Sequence, residues 1–172
     1  LSDLTIALGE TGAKAEIEFK KFDDPRETSI LNKTAIETIS ATDSENKVYI
    51  VSPVGGSHSS VISAETVYKV RVLRKASGYT LQYAKLKETT FKSVDIVKDA
   101  NSNYSFFSLT DGKTVNVEPV KANWDLVWTW TMYYGTNADG IFPYSFSDIV
   151  FINSLNGVQV AQVKTSVVSY AD

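Results

Sequence analysis

Alternating apolar and polar side chains dominate this chain, and the alternation predicts short β-strands. From Ala13 to Phe19, every apolar residue is followed by a charged one. Residues with high strand propensity fill four further runs, Val48–Val51, Thr66–Leu73, Tyr79–Leu86 and Thr114–Val120. We therefore expect an all-β fold that is mostly antiparallel.

Three dipeptides predict hairpin turns: Ser77-Gly78, Asp111-Gly112 and Asn156-Gly157. Asp-Gly and Asn-Gly are preferred in two-residue hairpin turns because both central residues adopt positive φ. Two further segments, Ser52–Ser60 and Gly135–Pro143, are rich in turn-forming residues and are predicted to be loops.

One segment departs from the strand pattern. Apolar residues between Arg26 and Ile39 recur at close to helical spacing, and Asp24-Pro25 precedes them. Proline is favoured at the first position of a helix, whereas isoleucine and threonine lower helix propensity. We therefore expect at most one or two short helices, one of them over residues 26–39.

The segment from Glu118 to Val158 contains all three tryptophans and the single methionine, Met132. The even positions from 124 to 134 are Trp, Leu, Trp, Trp, Met and Tyr. Because side chains alternate between the two faces of a strand, this order predicts a wide aromatic band on one face. Such a band is typical of a surface that binds a flat apolar ligand, and equally of a well-filled sandwich core. The pattern alone leaves both interpretations open.

Length and charge limit the class of protein. The chain of 172 residues is predicted to be one domain, 1–172, which is large enough for a hydrophobic core. A formal charge of -3, without clustered Lys and Arg, argues against nucleic-acid binding. No apolar run reaches the roughly 18 residues of a membrane-spanning helix. The chain begins with Leu1, and we expect it to be a processed product of an exported protein.

The sequence offers little that could carry catalysis. It contains no cysteine, which excludes a cysteine nucleophile and a zinc–thiolate site. Its one histidine, His58, lies in the Gly/Ser loop, where an exposed side chain is the simpler interpretation. Nucleophile-elbow, Walker A, dinucleotide-binding and HExxH motifs are missing. We therefore predict that the protein is not an enzyme.

The order of motifs after Tyr79 resembles the HmuY family, the exported haem-binding lipoproteins of Bacteroidetes. About half of the chain carries the resemblance. The motifs are Gly78–Tyr83, Tyr104–Leu109, Val117–Pro119, Trp124–Val127, Pro143-Tyr144, Asn153 and Asn156–Val158.

The resemblance implies a HmuY-like β-sandwich that holds haem between loops at one end. It implies a haemophore that serves iron acquisition. Such a protein captures haem, in some members from host haemoproteins, and passes it to a TonB-dependent outer-membrane receptor. It further implies a lipoprotein on the outer-membrane surface, or an extracellular protein released from it. On this resemblance, we expect the lipoprotein signal and anchor to be absent from these 172 residues. Family members perform no bond chemistry on haem.

The resemblance also implies where haem binds. Met132 falls where the family places its first axial ligand, and a thioether is a competent haem ligand. Tyr133, Tyr134, Phe142 and Tyr144 flank the following loop and are predicted to form the wall of the haem site. The family takes its second ligand from the region after Tyr144, which here contains neither His nor Met. That ligand stays unassigned: five-coordinate iron, a tyrosine or His58, and loss of haem binding are all open.

The same residues allow rival interpretations. Met132 is also the kind of flexible side chain that fills cores, and Trp124 and Trp128 are predicted to be core residues. The rival function is a surface adhesion module that binds glycans or proteins on the same scaffold without haem. In a third interpretation the aromatic residues are all core, and the protein is a structural surface component.

Overall fold

The computed structural model describes residues 34–53 and 65–167, with the backbone alone at positions 132–134, 141–143 and 145. Within the described ranges the regular structure consists of antiparallel β-strands and 3₁₀ turns of three residues each. The all-β, antiparallel prediction is therefore confirmed. The 3₁₀ turns are Asp43–Glu45, Lys121–Asn123 and Ser154–Asn156.

Four strands form one antiparallel sheet in the order β1-β2-β3-β4. Their bounds are Tyr49–Val51 for β1, Tyr68–Lys75 for β2, Gly78–Lys85 for β3 and Lys92–Val97 for β4. The first three were predicted from the sequence, while β4 was not. The β2–β3 hairpin is confirmed, although its turn is Ala76-Ser77, one residue earlier than expected, because Lys75 pairs with Gly78.

Gly78 shows why glycine begins β3. A Cβ atom at this position would lie 2.1 Å from the carbonyl oxygen of Ile96 on β4, which pairs alongside. No side chain fits at that separation, so glycine is required by the close approach of two backbones.

One face of this sheet carries the core. Tyr68, Val70 and Tyr83 are buried side by side, since Val70 and Tyr83 are paired across β2 and β3. The ring of Phe107 packs edge-on against Tyr83 with the ring centroids 5.3 Å apart. Phe107 belongs to a separate two-stranded hairpin, which therefore packs against the sheet.

That hairpin comprises β5 (Phe106–Ser108) and β6 (Lys113–Val115). The sequence predicted it correctly, but its loop has four residues rather than two. Ser108 closes the loop, because its carbonyl accepts a hydrogen bond from Gly112 N at 2.8 Å and its hydroxyl donates to Asp111 at 2.9 Å.

The third sheet is a long hairpin of β7 (Leu126–Asn137) and β8 (Gly140–Ile152). The prediction of a loop over Gly135–Pro143 is wrong, because strand pairing continues to Asn137 and Gly140. Only Ala138-Asp139 form the turn. Proline is tolerated in an edge strand, and both strands of a two-stranded hairpin are edges.

The prediction of a hairpin at Asn156-Gly157 is also wrong. These residues close a 3₁₀ turn, and Gly157 ends it with φ of +84° in the left-handed region. The chain from 158 to 164 forms no strand.

The four basic residues of β2 differ in their exposure. Lys69 is 2% exposed, and Arg71 is half-buried with its guanidinium donating to the carbonyl of Asp43. Arg74 and Lys75 are exposed.

Some predictions lie outside the described residues. They are the strand Ala13–Phe19, the part of the 26–39 helix before residue 34, and the loop histidine His58. The described part of that helix, residues 34–39, is not helical.

Candidate functional site

The five predicted site residues lie in one half of the β7–β8 hairpin, towards its turn. The pairing register places Tyr133 opposite Tyr144 and Met132 opposite Ser145. Nearer the turn, Phe142 lies opposite Gly135. The structure thus brings the predicted residues together on one ribbon.

A β-bulge interrupts the ribbon just before this region. The register shifts by one residue between Thr129 and Thr131, where Ser147 and Asp148 both lie opposite Trp130. Such a bulge gives one strand an extra residue and exchanges the faces on which its later residues lie.

The bulge divides the predicted site between two faces of the ribbon. Directly opposed residues share a face, so Tyr133 and Tyr144 lie on one face together with Phe142. Met132 and Tyr134 occupy alternate positions on β7 and belong to the other face. Without the extra residue in β8, Tyr144 would share the face of Met132.

The face of Met132 carries exposed aromatic side chains towards the base of the hairpin. Trp128 is 74% exposed and Trp130 is 55% exposed. Leu126 and Val150 extend the same apolar strip and are 62% and 50% exposed. The prediction that Trp128 is a core residue is therefore wrong. The side chains of this strip that the structure describes are thus open to solvent.

The opposite face is also partly open. Tyr144 is 43% exposed and Phe146 is 38% exposed, and their ring centroids lie 6.3 Å apart with the planes tilted by 48°. Tyr144 is the one member of the predicted wall whose side chain the structure describes, and Phe146 was not part of that prediction.

The base of the hairpin is fixed by Asn153, which is 1% exposed. Its Nδ2 donates to the carbonyl oxygens of Lys121 at 2.8 Å and Trp124 at 3.0 Å. Its Oδ1 accepts a hydrogen bond from Asn103 Nδ2 at 2.9 Å. Every polar atom of this buried amide group is thus satisfied, as burial of a polar side chain demands.

Glu118 completes the same hydrogen-bonded cluster. Its carboxylate accepts from the backbone N–H groups of Asn103 and Tyr104, both at 3.0 Å, and from Trp124 Nε1 at 3.3 Å. Trp124 is accordingly half-buried at the base of the hairpin, which is close to its predicted core role. We call Asn103, Glu118, Trp124 and Asn153 the hinge cluster.

Within residues 34–53 and 65–167, no three of His, Asp and Glu converge as metal ligands. In the same ranges there is no helix long and apolar enough to cross a membrane.

Comparisons with protein-family models, with curated proteins and with solved structures find no match to this chain. The resemblance to the HmuY family therefore stays a prediction that rests on the motifs themselves.

The sequence interpretation placed Trp128 in the core and left open whether the aromatic band is exposed. The even numbering of Trp128, Trp130 and Met132 indicated a shared face but not whether another element covers it. The sequence interpretation also missed Asn153 as a buried hub. No local pattern marks such a residue, because its partners lie 29 to 50 positions away.

Proposed function

We propose that this protein is an exported haem-binding protein of the haemophore type, which captures haem on the β7–β8 hairpin. One observation carries the proposal beyond the resemblance: the exposed indoles of Trp128 and Trp130 lead along one strand face to Met132. A porphyrin is flat and largely apolar, and exposed aromatic side chains are suited to cover its plane.

The residues at the hairpin fit a haem whose iron is contacted by Met132. Its thioether would serve as one axial ligand, a softer one than histidine. On the same face, Trp130 precedes Met132 by two positions and Tyr134 follows it by two. The register therefore favours these two aromatic residues as its nearest neighbours in the wall. Tyr133, Phe142 and Tyr144 would cover the other face of the ribbon.

Charge decides how the haem would be oriented. The hairpin contains Asp139 and Asp148 but no Lys, Arg or His between residues 126 and 152. The negatively charged propionates would therefore point away from the ribbon, towards solvent. A second axial ligand is not assigned.

Binding would also stabilise the hairpin itself. A two-stranded ribbon is marginally stable alone, and exposed apolar patches of this kind mark interaction sites. A ligand that covers the Trp128–Trp130 face would remove this surface from water and raise stability by mass action. In the proposal the protein then delivers haem, without altering it, to a TonB-dependent receptor at the outer membrane.

The test is a titration with haem, followed by absorption in the ferric and ferrous states. It compares the wild-type chain with Met132→Leu, which keeps an apolar side chain of similar size but has no sulfur, and with Trp128→Ala. We expect saturation at one haem per chain in the wild type. Met132→Leu should lose the ligand-dependent bands, whereas Trp128→Ala should weaken binding and keep them.

Two results would overturn the proposal in different ways. A spectrum identical to that of free haem in both oxidation states would exclude haem binding. Saturable binding with an unchanged spectrum in Met132→Leu would retain a haem carrier but exclude Met132 as its ligand.

A second candidate is the adhesion module that binds a glycan or protein partner without haem. The observation that favours it is the openness of the Trp128 face, since 74% exposure describes a platform rather than a deep slot. Failure of the haem titration together with loss of partner adhesion in Trp128→Ala would select this candidate.

A further inference from the structure

A second surface has the features of a small-molecule site. Its residues lie between positions 96 and 118 and are separate in sequence from the β7–β8 hairpin. A groove of about 370 Å³ opens between the end of β4 and the β5–β6 hairpin. Its volume lies at the lower end of the range for small-molecule sites, roughly 300–1,000 Å³. Its walls include Val97, Tyr104, Phe106 and Asn116.

Tyr104 provides an exposed aromatic surface in this groove. Its side chain is 57% exposed, and its ring packs edge-on against Phe106 with centroids 6.2 Å apart. Its backbone N–H donates to Glu118 at 3.0 Å, which ties this position to the hinge cluster. The backbone of Tyr104 is thus fixed by a hydrogen bond, and its ring is fixed by packing against Phe106. Because the ring is already ordered, little conformational entropy is lost when a ligand stacks on it.

The charges of the groove select against anions. Asp99 and Glu118 line it, and no Lys, Arg or His is among its lining residues. Both carboxylates already accept hydrogen bonds from neighbouring groups: Asp99 from Asn101 N at 2.9 Å, and Glu118 from two backbone N–H groups and Trp124. They therefore shape the wall, and their negative charge disfavours haem propionates or phosphates.

Neutral polar groups line the remainder. The side chains of Ser105, Thr114 and Asn116 make no hydrogen bond to the described part of the protein, and all three are exposed. They offer hydroxyl and amide groups, each able to donate and to accept. One groove is thus lined by an exposed aromatic residue and by neutral hydrogen-bonding groups, and this combination complements a ligand with an apolar face and hydroxyl edges.

From this arrangement we propose that the groove binds a neutral carbohydrate, with one pyranose ring stacked on Tyr104 and its hydroxyl groups bonded to Ser105, Thr114 and Asn116. The proposal is independent of haem binding, which concerns the other hairpin. In a protein at a cell surface, such a site would hold it against surface polysaccharide.

The test is saturation-transfer NMR with maltotriose, cellotriose, lactose and N,N′-diacetylchitobiose as neutral probes and sialyllactose as an anionic comparator. We expect saturable binding of at least one neutral probe, with a dissociation constant of about 1 mM or below, and weaker binding of sialyllactose than of lactose. Tyr104→Ala should weaken binding at least about tenfold, as truncation of a central aromatic contact does. Tyr104→Phe keeps the ring and should bind within about threefold of the wild type.

Trp128→Ala serves as the control, because it removes an exposed aromatic ring from the other hairpin. Binding that persists in Tyr104→Ala but is lost in Trp128→Ala would place the sugar on β7 and overturn the proposal. The absence of saturable binding for every neutral probe would overturn it as well. Should Tyr104→Ala fail to fold, Asn116→Ala takes its place and is expected to weaken binding severalfold.

Discussion

Asn153 Oδ1 accepts a hydrogen bond of 2.9 Å from Asn103 Nδ2, although 50 residues separate the two side chains. This bond joins the end of β8 to the loop before β5. The motifs that carry the HmuY resemblance meet here, since Tyr104, Glu118, Trp124 and Asn153 belong to the same hydrogen-bonded network. These motif residues therefore hold the base of the hairpin in place, and the proposed ligand residues lie farther along it.

The first prediction concerns Asn153. Asn153→Ala removes three hydrogen bonds and leaves the carbonyl groups of Lys121 and Trp124 without their donor. We expect the free energy of unfolding to fall by about 2–4 kcal/mol. Asn153→Asp should be at least as harmful at neutral pH, because a carboxylate oxygen would then face those two carbonyls. Urea denaturation measures both effects.

Asn156→Ala is the matched control, since Asn156 is exposed and its side chain makes no hydrogen bond to the described residues. Its stability should stay within about 0.5 kcal/mol of the wild type. A similar loss in Asn153→Ala and Asn156→Ala would contradict the role of Asn153 as a hub.

The second prediction contrasts two aromatic side chains. Tyr83 is 3% exposed and packs against Tyr68 and Phe107, so Tyr83→Ala should cost about 3–5 kcal/mol. Trp128 is 74% exposed, and Trp128→Thr, which keeps a good strand former, should change stability by less than about 0.5 kcal/mol. Chemical denaturation of both variants checks this. A loss in Trp128→Thr comparable to that in Tyr83→Ala would mean that the indole is buried.

The contrast shows how far the sequence could predict this fold. Runs of residues with high strand propensity located β1, β2 and β3, because this signal depends on side chains within a single strand. Neither strand propensity nor alternation reveals what packs on a strand. These signals could not show whether an aromatic face is covered, because that depends on which other element packs there. Trp128 and Tyr83 have similar strand contexts in sequence, but Phe107 of the β5–β6 hairpin packs on the face of Tyr83 and helps to bury it.

The turns show a second limit. Asn156-Gly157 is a strong hairpin signal, yet here the chain closes a 3₁₀ turn in which Val158 N donates to the carbonyl of Asn153 at 3.1 Å. The buried side chain of Asn153 holds this turn through partners that are distant in sequence. The bulge opposite Trp130 was equally hidden, because alternation along β8 does not reveal its register against β7.

The third prediction uses two glycines required for different reasons. Gly78→Ala would place a Cβ atom 2.1 Å from the Ile96 carbonyl and force β3 and β4 apart. Gly157 has no atom within 4 Å of an added Cβ, so Gly157→Ala costs only its left-handed φ, about 1–2 kcal/mol. We expect Gly78→Ala to cost more than Gly157→Ala and to speed hydrogen exchange in β4. Equal losses, with unchanged exchange in β4, would contradict the close approach.

The fourth prediction is a pH dependence at Asp95. Lys75 Nζ donates to its Oδ2 at 2.6 Å, and Thr80 Oγ1 donates to its Oδ1 at 2.7 Å. The hydrogen bond from Lys75, followed by that from Thr80, holds the pKa of Asp95 below its ordinary value. A carboxyl group whose pKa is lower in the folded state stabilises the fold above its unfolded-state pKa, about 4, and loses this contribution as the pH falls through the folded value.

We therefore expect Asp95→Asn to lower stability at pH 7, and we expect its difference from the wild type to shrink at pH 2, where the carboxyl group is increasingly protonated. The ion pair is exposed, so added salt should also reduce the difference at pH 7. Urea midpoints at the two pH values, at low and high salt, measure it. Asp139→Asn makes the same change of charge at a side chain without a hydrogen bond to the described residues, and it should show a smaller effect at pH 7. An equal loss of stability in Asp95→Asn at both pH values would contradict this prediction. It would mean that Asp95 stabilises the fold through its shape and not through its ionised carboxylate.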